Sequence, residues 1–312
     1  MRSVFVRRSA ESQELIKLAT ITEMLGLTDA MEINQIRRLI TAVSSQVEDY
    51  TDRVFARELI TERMGLEDID TGPFGSGNTR AYTHRMMLSR RPILAIEAIR
   101  FDGEAVDLDG VVVEDVEAGI LYSTSGFGAT TVFVQQLERV RTHFNEPLYE
   151  VDYSAGYVLP TFPTATKTFV SGDVNVTTDK ITIASHTLVT GDVVRFSVSA
   201  GGALPAGLSA NRDYYVFNAG DNDFSVTPRP GAAVVDITSG GSGTHTVTRR
   251  ETLPPALQND IVQLVTTEFH SRKRDRSVKS EKLGDYAVTY GSEGDNAAVS
   301  IMQRLDRYRT LA

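Results

Sequence analysis

The side chains that could do chemistry in this chain are histidines, carboxylates and serines. The five histidines are His84, His143, His186, His245 and His270. None lies three to five residues from another, so no local pair has the spacing of a metal site. Each reads as a structural or surface histidine. Carboxylates pair at Asp68/Asp70, Asp107/Asp109 and Asp221/Asp223. Asp-x-Asp can open a calcium loop, but the glycine and distal glutamate such a loop needs do not follow at the right spacing. Solvated turns are the expectation there. Ser123, Ser125 and Ser154 lie outside the turn that exposes a nucleophilic serine. The glycine-rich run 72–77 lacks the lysine of a phosphate-cradling loop, and 239–243 sits between two strand candidates, so both read as turns. Cysteine is absent, which excludes disulfides, thiolate-held metals and a cysteine nucleophile. The expectation is therefore no enzyme, no cofactor and no metal. An active site could arise only as a constellation of distant residues.

One charged run stands out: Arg272, Lys273, Arg274, Arg276 and Lys279. It has two readings. Cations at a helix C-terminus oppose the negative end of the dipole. The same run could also contact an acidic partner or passing DNA. No aromatic residue interleaves it, which argues against a platform for single-stranded nucleic acid. The whole chain of 312 residues carries a net charge of −9. An acidic chain does not grip phosphate over a large basic face, though it can surround nucleic acid without holding it. The acidic surplus falls in residues 1–164, while 249–312 is mildly basic. No apolar run is long enough to span a membrane. The first eight residues are too short and too polar for a signal peptide.

The elements that must position these residues fall into three pieces. Ile33, Ile36, Ile40, Val43, Val47, Tyr50 and Val54 recur three and four apart and predict one amphipathic helix over 30–55, with Asp29 as N-cap. A shorter helix precedes it, capped by Thr20 or Thr22 and ended by Gly26. Residues 70–78 read as a loop by composition. Strands follow at Ile93–Phe101, Val111–Val116, Gly119–Tyr122, Thr131–Val134 and Leu148–Tyr153, with Asp102-Gly103 as a hairpin turn. Residues 165–248 look all-β, with turn signals every 8–12 residues. Candidate strands there are Asp173–Thr177, Lys180–Ala184, Val193–Ser199, Tyr214–Asn218, Phe224–Thr227, Val234–Ile237 and Thr244–Thr248, which suit a small sandwich or barrel. Beyond Pro254-Pro255, the stripe Leu257, Ile261, Leu264, Val265 and Phe269 predicts a helix that packs on the first stripe. A short strand over Asp285–Tyr290 and a last helix over Val299–Tyr308 close the chain.

With residues 165–250 set aside, the remainder resembles the head–tail connector (adaptor) proteins of tailed double-stranded DNA bacteriophages. The resemblance opens at Leu15-Ile16-Lys17-Leu18 and Met24-Leu25-Gly26-Leu27. It continues through Leu39–Val43 and Val47–Arg53, then Leu88-Ser89-Arg90-Arg91-Pro92-Ile93, Phe101-Asp102-Gly103 and Gly119-Ile120-Leu121-Tyr122. Next comes Val151-Asp152-Tyr153-Ser154-Ala155-Gly156-Tyr157. In that family the Gly-Tyr pair soon meets a P-x-x-L helix start; the counterpart here is Pro254-Pro255-Ala256-Leu257, displaced by the β-rich block. The match closes on 279–290. It covers about 200 residues, and it is specific in the order of its motifs more than in any one of them.

The resemblance implies an α+β fold: a small helical bundle with a β-sheet and hairpin region, plus an inserted all-β, sandwich- or barrel-like domain. The connector core would be residues 1–164 and 249–312, and the insert 165–248. It also implies a structural virion protein, a homo-oligomeric ring commonly of twelve copies. Such a ring docks beneath the portal protein and continues the DNA channel to a stopper or tail-terminator protein of the neck. It would be assembled in the host cytoplasm and would end at the portal vertex of the virion. Double-stranded DNA would pass through without sequence-specific binding. By family analogy the portal anchor is the tail Leu283, Gly284, Asp285, Tyr286, Ala287, Val288, Thr289 and Tyr290. It would add as a strand to the portal, or else pair within its own subunit. The insert could brace the major capsid protein, touch tail or fibre components, or bind a surface glycan. The alternative identity is a baseplate or adhesin subunit that binds carbohydrate. Against it stands the absence of tryptophan, since sugar faces favour aromatic platforms.

Overall fold

The computed structural model describes residues 2–65, 83–127, 149–272, 280–283, 286–289 and 293–309. In chain order the elements begin with β1 (Ser3–Arg8), α1 (Leu18–Leu25), α2 (Ala30–Thr51), β2 (Glu58–Met64), β3 (Thr83–Met87) and β4 (Ile93–Phe101). Then come β5 (Glu104–Ala105), β6 (Val111–Asp115), β7 (Ile120–Phe127) and β8 (Tyr149–Ala155). The β-rich block holds β9 (Thr166–Val170), β10 (Val174–Asn175), β11 (Lys180–Thr182), β12 (Val193–Val198), β13 (Asp213–Phe217), β14 (Asp223–Thr227) and β15 (Thr244–Arg250). The chain closes with α3 (Pro255–Arg272), β16 (Ser280–Leu283), β17 (Tyr286–Thr289) and α4 (Glu293–Leu305). The fold is mixed α+β with antiparallel sheets, and strand outweighs helix.

The chain divides into two compact units. One comprises Met1–Ala10, Arg57–Gly156 and Pro163–Arg250; the other comprises Glu11–Ala56, Tyr157–Phe162 and Glu251–Ala312. In the β unit, β1-β2-β8-β4-β5 form one sheet and β3-β7-β6 a second. Their apolar faces share a core that includes Ile60, Met64, Met86, Ile99, Leu121, Val151 and Tyr153. Along β2 the inward positions are Glu58, Ile60, Glu62 and Met64, so two carboxylates sit where the alternation calls for apolar residues. That is why apolar alternation does not announce this strand in the sequence. The Asp102-Gly103 turn is as expected: Phe101 pairs with Glu104, and both turn residues have positive φ, 49° and 83°, the signature of the tight turn that matches strand twist. Thr131–Val134 and the loop 70–78 lie outside the described residues.

The block 165–248 belongs to the same unit and forms one seven-stranded sheet, β10-β11-β14-β13-β12-β15-β9. Its core draws on Phe169, Ile181, Phe196, Tyr214, Phe224 and Val247. Val234–Ile237 is not a strand; Val235 donates one backbone hydrogen bond to Val226 and the segment otherwise crosses as coil. The block meets the five-stranded sheet at Gly191, which has φ 90° and no room for a side chain: a Cβ there would lie 2.1 Å from Ser154 Oγ. Both the conformation and the approach require glycine.

In the helical unit, α2 is capped by Asp29, whose Oδ1 accepts the Met31 N–H at 3.2 Å. It ends where Asp52 turns left-handed, φ 50°. Its buried side is Ile36, Leu39, Ile40, Val43, Ser44, Val47 and Thr51, and it packs against α3. Val54, predicted as the end of the stripe, lies past the helix. The expected caps of α1 are corrected too. That helix starts at Leu18, so Thr20 and Thr22 are inside it, and Thr22 Oγ1 bonds back to the Leu18 and Ala19 carbonyls. Gly26 ends it, at φ 62°.

Candidate functional site

The C-terminal segment carries the residues the sequence singled out. α3 ends at Arg272, whose Nε bonds Glu268 Oε1 one turn back at 3.4 Å. This is the helix-end arrangement, in which a cation opposes the dipole. Lys273, Arg274, Arg276 and Lys279 lie outside the described residues, so the run is not assembled here as a patch. β16 and β17 follow as an antiparallel pair, with Ser280 opposite Thr289, Glu281 opposite Val288, Lys282 opposite Ala287 and Leu283 opposite Tyr286. Gly284, Asp285 and Tyr290 lie outside the described residues. The tail strand is therefore partnered within its own chain, and the premise of a lone strand is corrected. Among the described residues this sheet has two strands and no third, which leaves each with an outer edge of backbone donors and acceptors. Beyond the hairpin, α4 returns onto α3: Ile301 and Leu305 are buried, and Arg304 Nε reaches Asp260 Oδ1 at 2.9 Å.

A groove of about 560 Å³ opens beside the start of α2 and the end of α3, lined by Asp29, Met31, Glu32, Gln35, Arg38, Phe269 and Arg272. Its charges are mixed and Met31 is largely exposed. No catalytic pair converges there.

Two buried polar clusters in the β unit were not foreseen. Glu62 is fully buried. It accepts hydrogen bonds from the Tyr153 hydroxyl, from Ser89 N and Oγ at 3.0 and 2.7 Å, and from Arg2 Nε. Tyr153 is pushed well above the usual phenol range, first by burial and then by the Glu62 charge. Every donor around Glu62 is spent on holding strands together, so the cluster is a joint between sheets.

The second cluster is an ion triad. Asp192, at 0% exposure, lies between Arg249, at 3.0 Å from Nη2, and Arg57, at 3.5 Å from Nε; both guanidinium groups are buried. Arg249 also donates to the Pro163 and Thr187 carbonyls. Neighbouring Glu58 is raised by burial, with Arg90 pulling the other way. Neither cluster has a sequence signature, because its members come from segments far apart in the chain.

His84 Nδ1 lies 2.8 Å from the Ser123 carbonyl and stacks on Tyr122. His186 and His245 are buried in the β-rich block. His270 is on α3, and His143 is outside the described residues. Ser123 and Ser125 face each other at 3.1 Å without a histidine on either hydroxyl. Asp107 accepts the Asp109 N–H in a local turn, and Asp223 pairs with Lys180. Asp68, Asp70 and the run 72–77 lie outside the described residues. Among the described residues no group of three or more metal-ligating side chains converges, and no helix is long and apolar enough to cross a membrane. Comparison of the chain with models of known protein families and with curated proteins gave no match.

Proposed function

We propose that this protein is a ring-forming head-to-tail adaptor of a tailed bacteriophage. On this reading it docks beneath the portal and carries the DNA channel on to a stopper or tail-terminator protein. One observation supports it above the rest. The β-rich block leaves the helical unit after Phe162 and returns at Glu251 to the same place: Val158 N–H donates to Thr252 Oγ1 at 3.0 Å, and Thr252 N–H to the Val158 carbonyl at 2.9 Å. With the block set aside, Val158, just after Tyr157, lies beside Thr252, two residues before Pro254–Leu257 and α3, which is the order that connectors have in sequence. An insertion whose ends meet is easily accommodated.

The finer architecture goes with this reading: a connector core of helices and hairpins, and an inserted sandwich- or barrel-like domain facing the capsid or the tail. The acidic first piece suits a channel wall, because like charge keeps DNA from sticking. The C-terminal hairpin is the portal anchor, offering a portal strand an edge that no third strand takes among the described residues.

The test is co-sedimentation with portal rings from the same genome. Full-length protein is expected to pellet with the rings and a truncation after Lys279 to stay in solution. Because that cut also removes α4 from α3, Ala287→Pro and Val288→Pro are measured beside it. Alternate residues of a strand point their N–H groups outward, so one of the two removes an outward donor and is expected to lose binding. Binding by all variants would move the anchor elsewhere. No binding by the full-length chain would overturn the assignment.

A further inference from the structure

The loop from β11 to β12 is unusual in three ways at once. It contains a fully buried histidine, His186, at 1% exposure. The residues on either side, Ser185 and Thr187, both have positive φ, 49° and 60°. That region is sparsely used by non-glycine residues and is costly for a β-branched one. The loop ends in Gly191 and Asp192, the two residues that meet the five-stranded sheet and its neighbouring arginine.

The hydrogen bonds fix the state of the ring. His186 Nδ1 accepts the Leu188 N–H at 3.0 Å, so the ring is neutral with its proton on Nε2. Nε2 makes no hydrogen bond of ordinary geometry, and its nearest polar neighbour is the Asp223 backbone, which favours its proton. A second proton would have to sit on Nδ1, where the Leu188 N–H already points. Two donors would then face each other inside a core, and the turn would have to open. The contacts that hold the turn in its strained form lead straight to the triad. Ser185 N–H reaches Asn222 Oδ1 at 3.0 Å, the Thr187 carbonyl accepts Arg249 Nη2 at 2.7 Å, and Val189 N–H reaches Asp192 Oδ2 at 3.0 Å.

We propose that the segment Ser185–Asp192 is a proton-sensitive clasp. It fastens the β-rich block to the five-stranded sheet while His186 is neutral, and it releases when the ring takes a second proton.

The charged groups around the ring do not rescue the protonated form. Asp223 and Asp192 favour it and Lys167 opposes it, but burial outweighs them and holds His186 below the usual imidazole range. Asp223 is shared with Lys180 and Asp192 with Arg249 and Arg57. Phe224 covers the ring from the β14 side. The sign follows. An opened loop has an ordinary histidine near pH 6.5 and the closed loop a lower one. Closure is complete above about pH 6.5 and is lost as pH falls through the lower value. Opening takes up one proton in that window, so its equilibrium rises by up to about tenfold per pH unit.

The experiment is hydrogen exchange on the full chain, read at amides 185–198 between pH 7.5 and 4.5 after correction for the intrinsic rate. Protection is expected to fall by about tenfold or more over the window while the Ile60 and Val151 amides hold. In His186→Asn, whose side-chain oxygen can take the Leu188 N–H but cannot titrate, protection is expected to be flat. Loss of protection in that variant equal to the wild type would overturn the proposal, as would a flat wild type. Should the variant not fold, wild-type NMR decides. The His186 ring signals and the opening of the loop must share one midpoint, below pH 6.5. A ring that titrates at or above the ordinary value, or a loop that opens without it, would overturn the clasp.

Discussion

Asp192→Ala is expected to destabilise the β unit by about 3–5 kcal/mol, the range for stripping one partner from a buried ion cluster. The carboxylate is wholly buried and is the negative member between two buried guanidinium groups. Without it, Arg57 and Arg249 face each other in a medium that screens charge poorly. Val189 N–H would also lose its acceptor. Asp192→Asn should recover little, since it keeps the acceptor but not the charge. Replacing Arg57 with Met on top of Asp192→Ala should recover part of the loss, because an apolar replacement removes one of two like charges. The check is a double-mutant cycle on denaturant unfolding, with amide exchange along β12 and β15 to confirm that the loss is local. A cost below about 1 kcal/mol, the scale of an exposed pair, would mean that water reaches the arginines.

Glu62→Ala should be comparably severe, about 3–5 kcal/mol. Here the loss is distributed: the Tyr153 hydroxyl, the Ser89 N–H and hydroxyl and the Arg2 guanidinium all give up an acceptor at once. Each buried donor left unpaired costs about 1–3 kcal/mol. Glu62→Gln keeps one oxygen but turns an N–H₂ toward donors, so its cost should fall between wild type and alanine. Alkaline pH offers a second readout. The Tyr153 pKa is raised in the fold, so its contribution to stability is whole below pH 10, where an unfolded tyrosine begins to ionise, and is lost as pH rises above that. Glu62→Gln removes the second cause of the rise and should narrow that alkaline window. Ultraviolet titration of the phenolates against unfolding checks both. Equal alkaline behaviour of the variant and the wild type would mean that burial acts on Tyr153 alone.

What could be read from the sequence was local. The α2 stripe was legible because Ile36, Ile40, Val43 and Val47 face one side at helical spacing whatever lies opposite. Its boundary was not, because Asp52 in a left-handed conformation stops the helix before Val54. β4, β12, β13, β14 and β15 carry apolar alternation and were placed within a few residues. β2 failed for a physical reason: Glu58 and Glu62 occupy inward positions, and Glu62 is made tolerable by Tyr153, Ser89 and Arg2 from elsewhere in the chain. β9 is too polar to announce itself, since Thr166 to Val170 buries mainly Phe169. The tail hairpin has a local signal in the sequence. Leu283-Gly284-Asp285-Tyr286 places a glycine-containing pair between two short runs, the spacing of a two-residue hairpin connection. The Asp192 triad had none, because its members are set by sheet contacts between residues far apart in sequence.

The paired departure and return of the β-rich block also has a kinetic side. To bring α3 onto α2, the chain must close across a stretch of roughly 90 residues from Pro163 to Arg250, an ordering cost on the order of 4 kcal/mol for a featureless loop. The β9–β15 ladder closes nearly the same loop, so that cost is borne by the folding of the block itself. Thr166 pairs with Thr248, and the Arg249 N–H donates to the Ala165 carbonyl at 2.8 Å. Once this ladder exists, the two cut ends of the helical unit are tethered as if by a short turn. The block can lengthen at its far end without slowing the helices, whereas a weakened ladder would make helix docking the late step of folding.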